Sequence, residues 1–558
     1  MRALTACAVA AVTVQPLEAA ACGCFATPTT VNDPAVQAGE RIAFASDGNH
    51  VTAYVQIKFQ GAAQDFGWLV PVPAVPEVKV GTDELFEVLD ETTRPVFQLS
   101  TTLNASCRPS PPLFGCAAGA PEALAVGQGD GSAPVGASPL VLRDTAGPYE
   151  YAVLKADSKA ELTGWLNDNR YFVPVTSDAA LAPYIRPGAF FLALKLRPGQ
   201  TTGDLKPIVF GYTSDYPMIP LVLTSATAVP NMGIEVFVLA SARAIPRNYH
   251  HVWVNPLKLD WATAQNYPSL VTAAVAEAPK KHAFVTEYAG SADVAAGQLV
   301  AQDRFGQRSA LASSADAPSF VAYLSQYGFA ARGSASPQEL PDALLTILEA
   351  QIPYPQGLAA AGITRQQFFQ GLGFYLSGPT QAQHPDWYAG WTGVKYDAPT
   401  LAAAVWDGYV QPILDADALL NSHSYLTRLF TTLSPEDMTE DPVFGFNKTL
   451  PDVPALRTAS RVTGCSGVPT TLDTGGYRVG DEAQLTQQRK DAMPAAATVE
   501  LLSEEGPPTL VSHYALDPSL AAAMHSSAGC AAADGAIFAG LAALWLMVRG
   551  QTRPRKNR

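Results

Sequence analysis

Long apolar runs stand only at the two ends of this chain, and that placement limits what the rest can become. A polytopic membrane protein needs repeated apolar runs of about 20 residues. Hydrophobic residues still make up 48% of the 558 positions, against 15% charged, so the interior must pack a core and is not intrinsically disordered. The length points to two or three domains. The net charge of −14 leaves no basic surplus for phosphates, which excludes nucleic acid as a partner.

The first end has the parts of a secretory signal peptide over residues 1–21. Met1-Arg2 precedes the apolar stretch Ala3–Val14, and Ala19-Ala20-Ala21 supplies small residues for cleavage. Cleavage after Ala21 makes Cys22 the mature N-terminus. A lipid on Cys22 is the alternative, although Ala19 stands where a lipobox usually has Leu, Val or Ile.

At the other end, residues 513–529 read as a linker and 530–558 as a sorting or membrane-spanning tail. Gly535–Val548 is unbroken and apolar, and Arg549, Arg553, Arg555, Lys556 and Arg558 follow. A helix over Ala531–Val548 would be about 27 Å long, just enough for a thin bilayer. The terminal cations would stay inside and the body outside. Gly529-Cys530, the apolar span and the cations resemble, in that order, the C-terminal sorting signals of myxobacterial surface proteins (MYXO-CTERM). The resemblance implies processing near Cys530 and delivery to the cell surface. The expected location is therefore the cell envelope, with the membrane as a partner through the tail. Outside the ends the chain is more acidic still, because they hold six cations against Glu18 and Asp534.

Seven cysteines occur. Cys107 and Cys116 flank a Pro-rich segment, and in an oxidising envelope a local disulfide is the default, contributing about 2–3 kcal/mol. Cys465 then has Cys22 or Cys24 as partner, with one of that pair left over. Cys22-Gly23-Cys24 as a soft-metal site is the weaker reading, since no Met or His cluster accompanies it.

The body reads as α+β, with a β-rich region over 22–290 and a helix-rich region over 291–512. Arg41–Ser46 and Val51–Phe59 form a hairpin around Asp47-Gly48-Asn49-His50. Phe66–Val72 is a strand, and Thr82 caps a helix through about Glu91 with Leu85, Phe86 and Leu89 on one face. Residues 117–140, rich in Gly, Ala, Pro and Ser, read as a surface insertion. Further strands are expected at Val96–Thr101, Tyr149–Lys155, Phe190–Leu196, Ile208–Thr213, Leu221–Ser225, Ile234–Ala240, His250–Val254 and His282–Tyr288. Ser158 caps a helix to Asn167. Helical periodicity then takes over around Phe320–Tyr327, Leu340–Leu348 and Phe368–Leu376, and continues through Leu401–Leu420 and Tyr425–Leu433. Thr498–Leu502 and Leu510–Tyr514 return to strand.

Several segments resemble the bacterial domain of unknown function 2330: Ala21-Cys22-Gly23-Cys24-Phe25, Phe66-Gly67-Trp68-Leu69-Val70-Pro71-Val72-Pro73, Asp83–Leu89 and Ala283-Phe284-Val285-Thr286-Glu287-Tyr288-Ala289-Gly290. Tyr425–Leu433 and Asp441–Phe444 look like its later part, so the resemblance runs from about 20 to about 450. It implies an exported protein, often with a C-terminal anchor, and brings no agreed activity, cofactor or catalytic residue. In the Trp68–Pro73 segment two prolines remove backbone donors, which suits an edge strand. Trp68 itself reads as core, with a recognition surface as the alternative.

No nucleophile elbow, His-Glu-x-x-His, P-loop or dinucleotide fingerprint occurs. His250-His251 is the one histidine pair, and neighbours on a strand point to opposite faces. Asp473-Thr474-Gly475 matches half of an aspartic-protease pair; Asp144-Thr145-Ala146-Gly147 lacks the needed Gly, and a plain turn explains both. Glu287 inside an apolar strand needs a partner, with Arg243, Arg247, Lys280 or Lys281 as candidates for a structural ion pair, unless it faces solvent. The resulting reading is an exported, envelope-anchored binding or interaction module with no catalytic, cofactor or metal residues assigned. The alternative is an extracytoplasmic hydrolase in which Asp473 or Glu287 converges with a histidine.

Overall fold

A computed structural model describes residues 36–60, 66–104, 140–169, 177–198, 205–300, 304–330, 332 and 339–521. The expected signal peptide, Cys22, Cys24, Cys107, Cys116, nearly all of the 117–140 insertion and the 530–558 tail lie outside the described residues. Among the described residues no helix is long and apolar enough to cross a membrane.

In chain order the strands are β1 (Val36–Asp47), β2 (His50–Gln60), β3 (Gly67–Val72), β4 (Glu77–Val80), β5 (Val96–Leu103), β6 (Leu140–Ala146), β7 (Tyr149–Ala156), β8 (Ala189–Leu196), β9 (Ile208–Thr213), β10 (Ala228–Ala240), β11 (Arg243–Pro246), β12 (His250–Val254), β13 (Ala283–Ser291), β14 (Tyr425–Leu433), β15 (Phe444–Asn447), β16 (Leu456–Thr463), β17 (Pro469–Asp473), β18 (Arg478–Val479), β19 (Ala496–Leu501) and β20 (Thr509–His513). The fold is α+β. The described residues form two compact units, a larger one built from residues up to 97, 140–457 and 494–514, and a smaller one from 98–104, 458–493 and 515–521.

The larger unit is organised by a mixed ten-stranded sheet in the order β20-β19-β12-β13-β14-β10-β1-β2-β9-β4. The β1–β2 hairpin turns at Gly48 (φ +65°), the first of two loop positions, where a type II′ turn favours glycine. Along β1, alternate residues serve opposite faces. Ala43 and Ala45 enter a core with Phe237, Leu239 and Leu426 of the sheet, into which the helix Asp83–Thr93 inserts Leu85, Phe86 and Leu89. The Thr82 hydroxyl caps that helix by accepting from the Glu84 N–H. Helices between Arg308 and Ser422 close this face with Phe320, Leu324, Leu344, Leu348, Phe368 and Ile413.

The opposite face of β1 and β2 meets a second sheet, in the order β3-β8-β7-β6. Its far side packs Leu69, Leu154 and Phe191 on Leu162, Trp165 and Leu166 of the helix Lys159–Asp168, capped by Ser158. β3 is an edge strand, so the lost donor of Pro71 costs no ladder bond. In the smaller unit β5, β16, β17 and β18 form a mixed sheet, with β16–β17 and β17–β18 antiparallel, over buried Leu472 and Val479, and Arg461 clamps Glu482 at 2.8 Å.

Two expectations fail. Tyr425–Leu433, expected as helix, is β14, paired with β10 on one side and β13 on the other. Its Leu and aromatic content fits either period, but Thr427, Thr431 and Thr432 favour the extended chain. Leu221–Ser225, expected as strand, is a helical turn over Leu221–Thr224. Asp441 holds it by accepting the Val222 N–H at 2.9 Å, a partner from more than two hundred positions along the chain. The long helix expected over Leu401–Leu420 is real but widens to a π turn over Trp406–Val410. Tyr409 in that turn is buried, its hydroxyl 3.4 Å from Glu84, which Arg304 grips at 2.7 and 2.8 Å.

Phe86 is fully buried and meets Phe237 edge-on at 6.3 Å. Phe86→Ala is expected to cost about 3–5 kcal/mol in urea unfolding; a loss under 1 kcal/mol would show that the helix is not seated on the sheet.

Candidate functional site

Two buried polar constellations lie on opposite faces of the large sheet. On the helix side, Arg428 of β14 meets Asp90 at 2.8 Å, Glu235 at 3.1 Å and Glu287 at 2.7 Å, and Arg41 meets Glu235 at 2.9 Å. The register explains the meeting. Arg41 is paired with Glu235 across β1 and β10, and Phe237 with Arg428 across β10 and β14. The guanidinium lies 5.3 Å from the Phe237 ring centroid. Glu287 is the extra residue of a bulge in β13, between Thr286 opposite Leu429 and Tyr288 opposite Arg428. A bulge re-aims a side chain, and here it sends the carboxyl to Arg428.

Glu287 therefore has none of its expected partners. Arg243 bonds Thr286 and the Pro451 carbonyl, Arg247 pairs with Glu504, Lys280 with Glu440 and Lys281 with Asp437. Arg457 donates to the Glu287 carbonyl at 2.8 Å, and the Tyr267 hydroxyl bonds its carboxyl. Burial raises the Glu287 pKa despite the opposing pull of Arg428. Burial lowers that of Arg428, but Glu287, Glu235 and Asp90 more than restore it. His251, beside this strand, is fully buried; its Nδ1 bonds Glu500 at 2.9 Å and its Nε2 accepts the Thr286 N–H at 3.2 Å. Burial lowers its pKa. Both ring nitrogens are committed, which makes it a neutral brace. His250 reaches the His282 carbonyl instead. Asp473 is the half-exposed last residue of β17, accepting from Gly475 N of the following turn at 2.9 Å with Arg478 at 3.7 Å, and Asp144 accepts from its neighbour Thr145. Among the described residues no group of three or more His, Cys, Asp or Glu is placed to hold a metal. Cys465 is the only cysteine among the described residues.

The other constellation is a cavity of about 360 Å³ between the two sheets. One wall is Ile42, Phe44, Val55 and Phe210; the other is the Trp68–Pro73 segment, with Trp68 and Phe210 rings 6.4 Å apart. Trp68 is thus both buried and part of a concave surface. Polar groups are few, as is usual for small-molecule pockets. Asp441 lines one side, with both oxygens taken by the Tyr184 hydroxyl at 2.7 and 2.8 Å. Arg186 stands exposed at the rim. Glu40 lies on the apolar face of β1, opposite Ile57, immediately after a bulge. It is 5% exposed, and its Oε2 has no hydrogen-bond partner. Burial raises its pKa from 4.5 to about 7.

Sequence reasoning began the first strand at Arg41 and missed Glu40. The signal was present: Glu40, Ile42 and Phe44 alternate on one face, so an acid occupies an apolar position. Arg428, Tyr184, Arg186 and Asp441 carried no comparable local signal.

The geometry gives a role to each quoted family segment that is described. Trp68–Val72 walls the cavity, Asp83–Leu89 is the helix on the opposite face, and Ala283–Gly290 carries the bulge. The model of the family described as an uncharacterized protein conserved in bacteria (DUF2330) matches residues 17–360. The chain belongs to this family. The match ends before Tyr425–Leu433 and Asp441–Phe444, which had looked like the family's later part. No curated protein and no solved structure matches the chain.

Two measurements test these sites. Arg428→Met leaves three carboxylates facing one another and is expected to cost about 3–5 kcal/mol, with Glu287→Gln costing clearly less; equal effects would remove Arg428 from the centre. For Glu40, the folded chain holds a proton that the unfolded chain loses above about pH 4.5, so stability falls as pH rises to about 7. Glu40→Gln should match the parent at pH 4 and exceed it by roughly 3 kcal/mol at pH 8. Equal denaturation midpoints for the two proteins at both pH values would place this carboxyl in water.

Proposed function

We propose that this chain is an exported protein of the cell envelope, held by its C-terminal tail, which binds a small apolar ligand and performs no chemistry on it. The observation that carries the binding is the cavity behind Trp68, with an unpartnered acid in an otherwise apolar wall. A buried polar atom without a partner is costly to maintain, and its presence in a concave site favours a ligand that satisfies it. The absence of chemistry is supported by the state of the candidate acids. Glu287 is committed to Arg428 and Tyr267, and Asp473 to its own turn. Export is supported by the residues 1–21 and by the tail. The acidic body weighs against nucleic acid.

Mass spectrometry of the native protein from cell envelopes should find Cys22 at the mature N-terminus and a modified or processed region near Cys530. Recovery from the cytosol with residues 1–21 attached would overturn the location. Turnover of any substrate by the purified body in a broad hydrolase screen would overturn the non-enzymatic reading.

A further inference from the structure

We infer that the ligand of the cavity is a small apolar molecule bearing a protonated amine, with the ammonium against the Glu40 carboxylate and the apolar part against Trp68, Val70 and Phe210. The inference rests on the cavity being a binding site and adds the ligand's chemical class.

Of the polar side chains that line the space, all but Glu40 are engaged elsewhere or stand at the rim. Asp441 is taken by Tyr184 and by the Val222 N–H. The Tyr216 hydroxyl donates to Glu504, and Arg247 covers its ring at 4.0 Å. The phenol of Tyr212 meets the backbone of Met218. Arg186 is at the solvent-exposed rim. Glu40 remains, an acceptor enclosed by Ile42, Val55 and Ile57. Arg41, the next residue, points to the other face and is engaged with Glu235. An anionic ligand would set like charges together in an apolar setting. A hydroxyl would leave the carboxylate's charge uncompensated. An ammonium supplies both the charge and the donors, and charge-assisted bonds are the stronger kind. The apolar walls require the remainder of the ligand to be hydrocarbon or aromatic, and Trp68 offers a ring to stack on.

Calorimetry with the full chain at pH 8 separates the possibilities through three probes that share a phenethyl group: phenethylamine, phenethyl alcohol and hydrocinnamate. The amine is expected to bind at least about tenfold more tightly than the alcohol, and hydrocinnamate least. Glu40→Gln should erase the amine's advantage while leaving the alcohol's affinity within about twofold, and Glu40→Met serves the same purpose if the Gln variant does not fold. If the alcohol binds as tightly as the amine, or the amine's advantage survives both variants, the amine class is wrong and the cavity remains a binding site. If none of the three binds, the cavity reading fails together with the inference.

Discussion

Three carboxylates, on a helix and on two different strands, converge on the guanidinium of Arg428. Buried charges are expensive unless each has its partner, and that expense makes the arrangement selective. Arg428 satisfies Asp90, Glu235 and Glu287 together only if β10, β13 and β14 hold their registers and the helix Asp83–Thr93 lies across them. A slip of one residue in β14 would turn Arg428 to the opposite face and leave three acids without their cation. The bulge at Glu287 belongs to the same requirement, because a regular strand would not deliver its carboxyl to that point. The apolar core contributes the larger share of stability, but apolar contacts are permissive about register where this cluster is not.

Placing the charge cluster on one face leaves the other free for a different task. Arg428 and Glu287 at the centre of the cluster are buried, while Asp90, Glu235 and Arg41 at its margin are partly exposed, and all of them are committed to holding strands and helix together. On the reverse face the covering is a sheet, and β3, its edge strand, is held on one side only by β8. Two prolines in and beside β3 stiffen it without costing internal hydrogen bonds. The cavity lies between this wall and the large sheet, where the Trp68 and Phe210 rings stand 6.4 Å apart. Glu40 enters it because the bulge ahead of Glu40 sets where the regular alternation begins. The same device, an extra residue in a strand, thus aims one acid at a cation and another into a cavity.

Short-range signals were read correctly where local physics suffices. Thr82 and Ser158 cap helices, Gly48 turns a hairpin, and the β1, β2, β7 and β8 runs are extended as their β-rich composition predicts. The errors fall where a distant segment decides. Leu221–Thr224 is apolar enough for a strand, yet Asp441 supplies an acceptor for its freed N–H and it coils. Tyr425–Leu433 follows a long helical stretch and shares its apolar content, but both its edges are claimed by β10 and β13. Glu287 was recognised as an acid in need of a partner; the partner was misnamed, because proximity along the chain says little about proximity across a sheet.

What the sequence determined alone is the kind of molecule this is: an acidic α+β body with enough apolar residues to pack, extended segments in its first half, helices after them, and ends whose composition differs from everything between. These follow from composition and from periods of two and 3.6, which are local properties of the chain; the strands from Tyr425 to Val479 were not legible in them. Tertiary structure alone decided that the helices close over the sheet of the first half, that Arg428 is the shared cation, and that Glu40 and the Trp68 segment face one space. Those outcomes depend on strand order and register, and the free energy that selects them exists only when residues hundreds of positions apart are already in contact.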